Sequence, residues 1–324
     1  MIALSPYRNF LFLCVVSVVL WWHTILATVV LALRHDAYTH ILLILPISFG
    51  LIFLEWRSRK TQPEPDFRSG SALLVLAVLI GFMCGRGSLT ADVQLFLGML
   101  AVVMWWIGAF VCCFGTRISR MCVFPLCFLL WLVPVPEFAL NRIVGFLQQG
   151  SASAAHLLFA IARVPVAQDG VVLSIPGLTL EVAKECSSIR SSLILLVTSM
   201  VLAQLLLRTA WGKSLVTVAA IPLSIAKNGL RIFTLSMLGV YVDPSFLHGW
   251  LHHHGGIVFF LVFLVGLFVI LRLVMWAERK PTAKPAVSNL VHPIQSALRA
   301  RPQGCSPSLR PVQRYSDGPT DHRP

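Results

Sequence analysis

Residues 181–192 read E-V-A-K-E-C-S-S-I-R-S-S, a short polar stretch with Cys186 near its middle. A long apolar run follows this stretch directly, and apolar runs also occupy most of the chain before it. A polar stretch that leads into a long apolar helix lies at the boundary between water and bilayer. The sequence therefore predicts a membrane scaffold that holds Cys186 at one face of a bilayer.

The composition predicts an all-α polytopic membrane protein. Of 324 residues, 57% are hydrophobic and only 12% are charged, whereas a typical soluble domain has about 25% charged residues. Several apolar runs approach the length of a helix that spans a bilayer. They occupy residues 10–33, 38–56, 71–85, 93–115, 121–135, 189–207, 215–240 and 256–276. We therefore expect about eight transmembrane helices.

The longest stretch between two predicted spans leads to Cys186. In residues 141–162 the apolar positions recur at helical spacing among polar ones, which predicts an interfacial or groove-lining helix. Residues 171–174 and 178–182 are short β-type runs, bounded by Asp-Gly and Pro-Gly turn signals. This pattern predicts a small extracytoplasmic β-hairpin before Cys186.

The distribution of Lys and Arg predicts the orientation in the membrane. With a cytoplasmic N-terminus, the inner loops carry most of these residues, and the short outer loops carry only Arg34 and Arg86. Both termini are then cytoplasmic. Residues 277–324 are basic and rich in Pro and Ser, which predicts a disordered cytoplasmic tail after a membrane domain of residues 1–276. Beside a membrane span, the net charge of +13 favours lipid contact over nucleic-acid binding.

Three polar features share the outer face in this orientation. They are Cys186 before span six, Arg231 in the outer half of span seven, and the histidines 252–254 at the start of span eight. A helix N-terminus or a nearby cation activates a thiol, and a histidine can take its proton and pass it to a leaving amine. A buried arginine can stabilise a developing oxyanion. The grouping indicates nucleophilic cysteine chemistry.

Each of these residues also has a structural interpretation. Most cysteines at helix starts serve packing, and Arg231 could reach the interface or pair with an acid. The three histidines could bind a metal or lie in a solvated loop, and His252 and His254 cannot share one face of a helix. A non-enzymatic alternative is a transporter or polysaccharide-export component whose polar path is lined by Arg231 and the histidines. No Cys/His spacing fits a zinc site, and we expect no metal or cofactor.

Three ordered motifs resemble the exosortase/archaeosortase family of membrane cysteine transpeptidases. They are ECSSIRSS at 185–192, IPLSIAKNGLRI at 221–232 and HHHGGIVFF at 252–260. The resemblance extends over about residues 38–276. One departure is Ser188, which stands where the family usually has glycine.

The resemblance implies roles for particular residues. Cys186 would be the nucleophile, Arg231 the partner of the oxyanion or substrate carbonyl, and His252 the acid/base, with His254 as the second choice. It implies substrates that are exported proteins ending in a Pro-Glu-Pro-type motif, a transmembrane helix and a basic segment. Cleavage would proceed through a thioester at the periplasmic side of a bacterial inner membrane. Water or a second nucleophile would release the product, in cells that make exopolysaccharide.

Overall fold

The computed structural model describes residues 6–58, 62–86, 89–182, 189–243, 245 and 250–279, and at residues 58, 85–86 and 250–255 it describes the backbone alone. Helices dominate this part of the chain, and one small antiparallel sheet interrupts them. The α-helices are α1 (Pro6–Leu20), α2 (Trp22–Arg34), α3 (Ile41–Ser58), α4 (Phe67–Arg86), α5 (Ala91–Met121), α6 (Val123–Phe128), α7 (Glu137–Ile161), α8 (Ile189–Leu206), α9 (Ala210–Tyr241) and α10 (Trp250–Arg279). Two short 3₁₀ helices are η1 (Asp36–Tyr38) and η2 (Leu129–Leu132). The strands are β1 (Ala167–Asp169), β2 (Val172–Ile175) and β3 (Leu178–Glu181).

The prediction of an all-α polytopic membrane protein is confirmed. In the described residues six helices are long and apolar enough to cross a membrane, and the number rises to eight if each of two bent helix pairs counts as one span. The six are Asp36–Arg57, Phe67–Cys84, Ala91–Met121, Ile189–Leu206, Ala210–Tyr241 and Gly256–Arg279. Large apolar side chains are exposed along many of these helices, as a lipid-facing surface requires.

Side-chain contacts define two ends of the helix bundle. At the end where α8 begins, which we name the site end, the Arg190 guanidinium lies 3.0 Å from the Asp36 carboxylate in η1. At the end where α8 finishes, the far end, the Glu278 carboxylate of α10 accepts a hydrogen bond of 3.0 Å from the Arg208 backbone N–H. These two contacts place the start of α8 beside η1, and the α8–α9 connection beside the last turn of α10.

The first predicted span, residues 10–33, is two helices rather than one. Tyr7 in the first turn of α1 packs against Trp56, close to the far end of α3, with ring centroids 5.7 Å apart. From there α1 and α2 lead to η1 at the site end, with a bend of 79° between them. The bend falls at Trp21, whose φ of −119° and ψ of 28° lie outside the helical region. The Trp21 ring packs against Trp105 with centroids 5.6 Å apart.

The fifth predicted span, residues 121–135, consists of α6, η2 and a short extended segment. Pro134 and Pro136 have no backbone N–H to continue a helix. The Tyr38 hydroxyl at the site end donates a hydrogen bond of 2.8 Å to the Val135 carbonyl. The segment therefore runs from α5 at the far end back to the site end, where α7 starts after a bend of 98°.

The predicted β-hairpin is present as β2 and β3, and β1 adds a third antiparallel strand. Gly170 and Gly177 have φ values of 58° and 85°, a conformation that glycine adopts readily and that the two turns require. The sequence did not predict β1, because its three residues Ala-Gln-Asp show no apolar alternation. The inner side of the sheet is apolar, with Leu173 fully buried beside Phe159 of α7 and Ile232 of α9.

Helix α7 packs along the half of α9 that is nearer the site end. A Cβ atom at Gly229 would lie 2.6 Å from the Ala154 Cβ, so the two helices approach more closely than side chains normally permit. Phe159 and Phe233 continue the contact with ring centroids 5.0 Å apart. The predicted helix 141–162 is thus α7, and α9 and the sheet cover one side of it.

Candidate functional site

In the sequence, Cys186 lies between two residues that the structure describes, Val182 and Ile189. The Val182 backbone N–H donates to the Val171 carbonyl at 3.0 Å, and the Val182 carbonyl accepts from the buried Gln148 side chain at 2.8 Å. Ile189 then starts α8. Cys186 itself, within residues 183–188, lies outside the described residues. In the sequence, Cys186 precedes Ile189, the first described residue of α8, by three positions.

Arg231 lies inside the protein on α9. Only 9% of its surface is exposed, and Lys227, one helical turn earlier on the same face, is 2% exposed. Asn228 and Ser224 extend the buried polar stripe along this face of α9. The described residues of α8 and α9 include no acidic side chain, so these two helices contribute only positive charge here.

The register of α8 against α9 sets the depth of Arg231. The Lys213 ammonium donates to the Gln204 side chain at 2.9 Å, and the Lys227 ammonium donates to the Ser191 hydroxyl. Both contacts follow one antiparallel register, in which the paired residue numbers sum to 417 (204 and 213) and 418 (191 and 227). By the same register, Arg231 lies about one helical turn beyond the level of Ser191, towards the site end.

The three histidines 252–254 lie in the first turns of α10, where the backbone alone is described. Two contacts give the register of α10 against α9: Glu278 with Thr209 at 2.5 Å, and Leu223 at 3.5 Å from a Cβ built at Gly266. By this register the level of Arg231 corresponds to about residue 257 of α10. The backbone of His252 is therefore about five residues, roughly 7.5 Å, nearer the site end.

The tertiary structure places Arg231 near the start of α8, and the backbone of the histidine turn of α10 lies about five residues nearer the site end. The contact geometry of Cys186 with either residue lies outside the described residues. The assignment of Cys186, Arg231 and His252, with His254 as second choice, stays a prediction.

Three further charged groups lie around this region. Arg190, the second described residue of α8, is 58% exposed and pairs with Asp36, which is 77% exposed. Arg190 therefore lies at the surface, as an interfacial anchor would. Beyond the end of α9, the Ser245 backbone N–H donates to the Asp243 carboxylate at 2.7 Å and lowers the pKa of that carboxyl group below its ordinary value. Asp243 therefore stays ionised in the loop toward α10.

Lys227 is the functional candidate that sequence reasoning missed. A sequence signal was present, because ionisable residues within membrane spans are rare and mark functional sites by default. Lys227 precedes Arg231 by four residues, which puts both on one helix face. What the sequence could not show is that this face is buried and that the Ser191 hydroxyl receives the ammonium.

A comparison with protein families now bears on this arrangement. Residues 21–269 match the family model described as transmembrane exosortase. The chain belongs to the transmembrane exosortase family. The exosortase match includes α2 to α10 up to residue 269, and with them the three motifs around Cys186, Arg231 and the histidines. No curated protein and no solved structure matches the chain.

Membership in the exosortase family confirms the resemblance that the three motifs indicated. The family match ends at residue 269, and the predicted tail of residues 277–324 lies, from residue 280 onward, outside the described residues. In the described part of the chain no group of three His, Cys, Asp or Glu side chains is placed to hold a metal ion. The histidine side chains 252–254 lie outside that search.

Proposed function

We propose that this exosortase-family protein is a cysteine peptidase or transpeptidase that cleaves C-terminal sorting signals of exported proteins. The substrate carries a Pro-Glu-Pro-type motif, a transmembrane helix and a basic end. The reaction takes place at the periplasmic side of the bacterial inner membrane, and both termini of the enzyme are cytoplasmic. The cleavage serves protein sorting alongside exopolysaccharide production.

The reaction begins with the thiol of Cys186. His252, or His254 in its place, takes the thiol proton, and the thiolate attacks the carbonyl carbon of the scissile peptide bond. The carbonyl oxygen gains negative charge, which the Arg231 guanidinium stabilises. The same histidine then protonates the leaving nitrogen as the C–N bond breaks. A thioester on Cys186 remains, and water or an amine or hydroxyl nucleophile attacks it and frees the thiol.

The observation that supports this proposal best is the depth of Arg231. Arg231, of which only 9% is exposed, lies near the first described turn of α8. Burying an arginine within a membrane bundle costs free energy, and ionisable residues retained at such positions are functional candidates by default. A cation at the N-terminus of a helix also lowers the pKa of a nearby thiol and favours the thiolate.

The test is processing of a candidate substrate with a C-terminal sorting signal, expressed with the enzyme in cells. The intact enzyme is compared with Cys186→Ala, Arg231→Ala and His252→Ala, each at a matched membrane level. We expect Cys186→Ala to abolish cleavage. Arg231→Ala and His252→Ala should lower it by about 10² to 10³-fold, the usual effect of losing an oxyanion donor or an acid/base group.

The control variant is Cys127→Ala, an exposed cysteine on α6, which should cleave normally. A variant with His254 alone replaced, compared with His252→Ala, identifies which histidine is the acid/base. If Cys186→Ala processes the substrate at the normal rate, the peptidase proposal is wrong. The non-enzymatic alternative, a transport or polysaccharide-export component, then takes its place, because a polar path would tolerate loss of this thiol.

A further inference from the structure

Lys227 is a buried lysine that the proposed reaction does not use. It is 2% exposed in the middle of the α9 span, and its ammonium donates a hydrogen bond to the Ser191 hydroxyl in the first turn of α8. A lysine ammonium is strongly hydrated, and its transfer into a membrane-embedded bundle is unfavourable. A neutral hydroxyl compensates only part of that cost, so the contact calls for an explanation beyond stability.

A second lysine on the same helix provides a natural comparison. Lys213 contacts the Gln204 amide oxygen at 2.9 Å, which also joins α9 to α8 by a lysine and a neutral partner. Lys213 is only partly buried and lies in the first turn of α9, at the far end. The ammonium there can reach the membrane interface, as lysines near helix ends commonly do. Both contacts join a lysine ammonium of α9 to a neutral acceptor on α8, in the same helix register. They differ in the burial of the lysine and in the residues beside it.

We propose that Lys227 is a positioning residue for Cys186 and acts through Ser191. The inference rests on the proposed function of Cys186. Ser191 follows Cys186 by five residues, and Arg231 follows Lys227 by four, one turn along α9. The ammonium–hydroxyl contact therefore joins the first described turn of α8, just after Cys186 in the sequence, to the turn of α9 that precedes Arg231. The charge of Lys227 also adds to the positive potential at the start of α8.

The positioning role is tested by a double-mutant comparison in the cell-based cleavage assay. Lys227→Met keeps the side-chain length and removes the donor and the charge, and Ser191→Ala removes the acceptor. We expect each to lower cleavage by about tenfold or more, because small displacements of a reacting group are costly. The double variant should cleave no more slowly than Lys227→Met, since both changes remove the same contact. Lys213→Met, the matched control, should cleave normally.

A second readout separates positioning from mere stability. The rate at which iodoacetamide alkylates Cys186 is measured by peptide mass spectrometry, in membranes, as a function of pH. We expect Lys227→Met to move the midpoint of this profile to higher pH, because the variant removes a cation that would favour the thiolate. Lys227→Arg should restore part of both cleavage and alkylation, because it keeps a charged donor. Lys213→Met should leave the profile unchanged.

The outcomes distinguish the two proposals. If Cys186→Ala cleaves normally, the proposed function fails. If Cys186→Ala is inactive while Lys227→Met matches Lys213→Met in both readouts, the positioning role alone is overturned. If Lys227→Met does not accumulate in the membrane, Ser191→Ala alone tests the positioning role, since this variant removes only a hydroxyl. Normal cleavage and a normal alkylation profile in Ser191→Ala would then refute the role.

Discussion

The two ends of the α8–α9 helix pair have similar chemistry and different environments. At the far end, Lys213 meets Gln204, and the Glu278 carboxylate holds the α8–α9 turn through Arg208 and Thr209. All of these groups are partly or fully exposed. At the site end, Lys227 is buried at 2% exposure, with Arg231 one turn beyond it.

This difference in environment separates polar groups that only stabilise the fold from polar groups with a further role. At the far end a carboxylate faces the exposed end of a helix pair, where water and lipid headgroups solvate every charge. At the site end α8 and α9 supply two buried cations and no acidic side chain. Ionisable residues buried within membrane spans mark functional sites by default, so this end of the helix pair indicates chemistry.

Changing the guanidinium of Arg231 should give the largest difference between the site end and the far end. Arg231→Lys keeps the charge and loses the planar fork of donors. We expect cleavage of the sorting signal to fall by about tenfold to 10²-fold, with the enzyme at its normal membrane level. Arg208→Lys, the same change at an exposed far-end position, should leave cleavage unaltered. Equal cleavage by the two variants would remove the distinction between the ends.

The close contact of α7 with α9 should be sensitive to a single methyl group. In Gly229→Ala the new Cβ would lie 2.6 Å from the Ala154 Cβ, and we expect a loss of about 1–3 kcal/mol of stability. Gly266→Ala on α10 is the control, because its nearest neighbour, Leu223, lies 3.5 Å away and alanine favours helix. The measurement is the thermal unfolding midpoint of each purified variant in detergent. A Gly229→Ala midpoint at or above that of Gly266→Ala would contradict the packing described here.

The Gln148 side chain should stabilise the chain segment that leads to Cys186. Gln148→Leu removes the donor to the buried Val182 carbonyl, which we expect to cost about 1–3 kcal/mol. Limited proteolysis of the variant should then cut more readily after β3. Gln149→Leu changes the exposed neighbouring side chain and should behave as the intact protein. Unchanged proteolysis of Gln148→Leu would show that this hydrogen bond does not hold the segment.

The surface pair of Asp36 and Arg190 should have the smallest effect. Both side chains are more than half exposed, so Asp36→Asn should change stability by less than about 1 kcal/mol. We expect cleavage to stay within about twofold of the intact enzyme, because screening leaves little of the pair's energy. The check is the cleavage rate at low and high salt. A large, salt-dependent loss would instead make Arg190 part of the site.

Much of the fold could be predicted from hydropathy. The spans at residues 38–56, 93–115 and 189–207 coincide with α3, α5 and α8 to within a few residues or a helix extension. The misses have local causes. The first span bends at Trp21, whose ring packs against Trp105. A hydropathy pattern contains no information about such a contact. Strand β1 is too short for an alternation signal, and only its pairing with β2 defines it.

The residues proposed for the candidate site come from the sequence, and the environment of Arg231 and Lys227 comes from the tertiary structure. Motif resemblance pointed to Cys186, Arg231 and His252, and the transmembrane exosortase match agrees with that resemblance. The sequence assigns no role to Lys227, because a lysine in an apolar run does not reveal which side chain it contacts. Its partner Ser191 lies 36 residues away in sequence. Only the antiparallel register of α8 and α9 joins them.

The sequence by itself determined the class of the protein and the order of its spans. Bilayer thickness and the cost of buried charge act on each segment separately, so each segment carries its own signal. The tertiary structure decided which faces of those helices are buried and at what depth Arg231 and Lys227 lie. Those properties depend on contacts between distant segments, such as Gly229 against Ala154. Close packing, rather than local hydropathy, determines them.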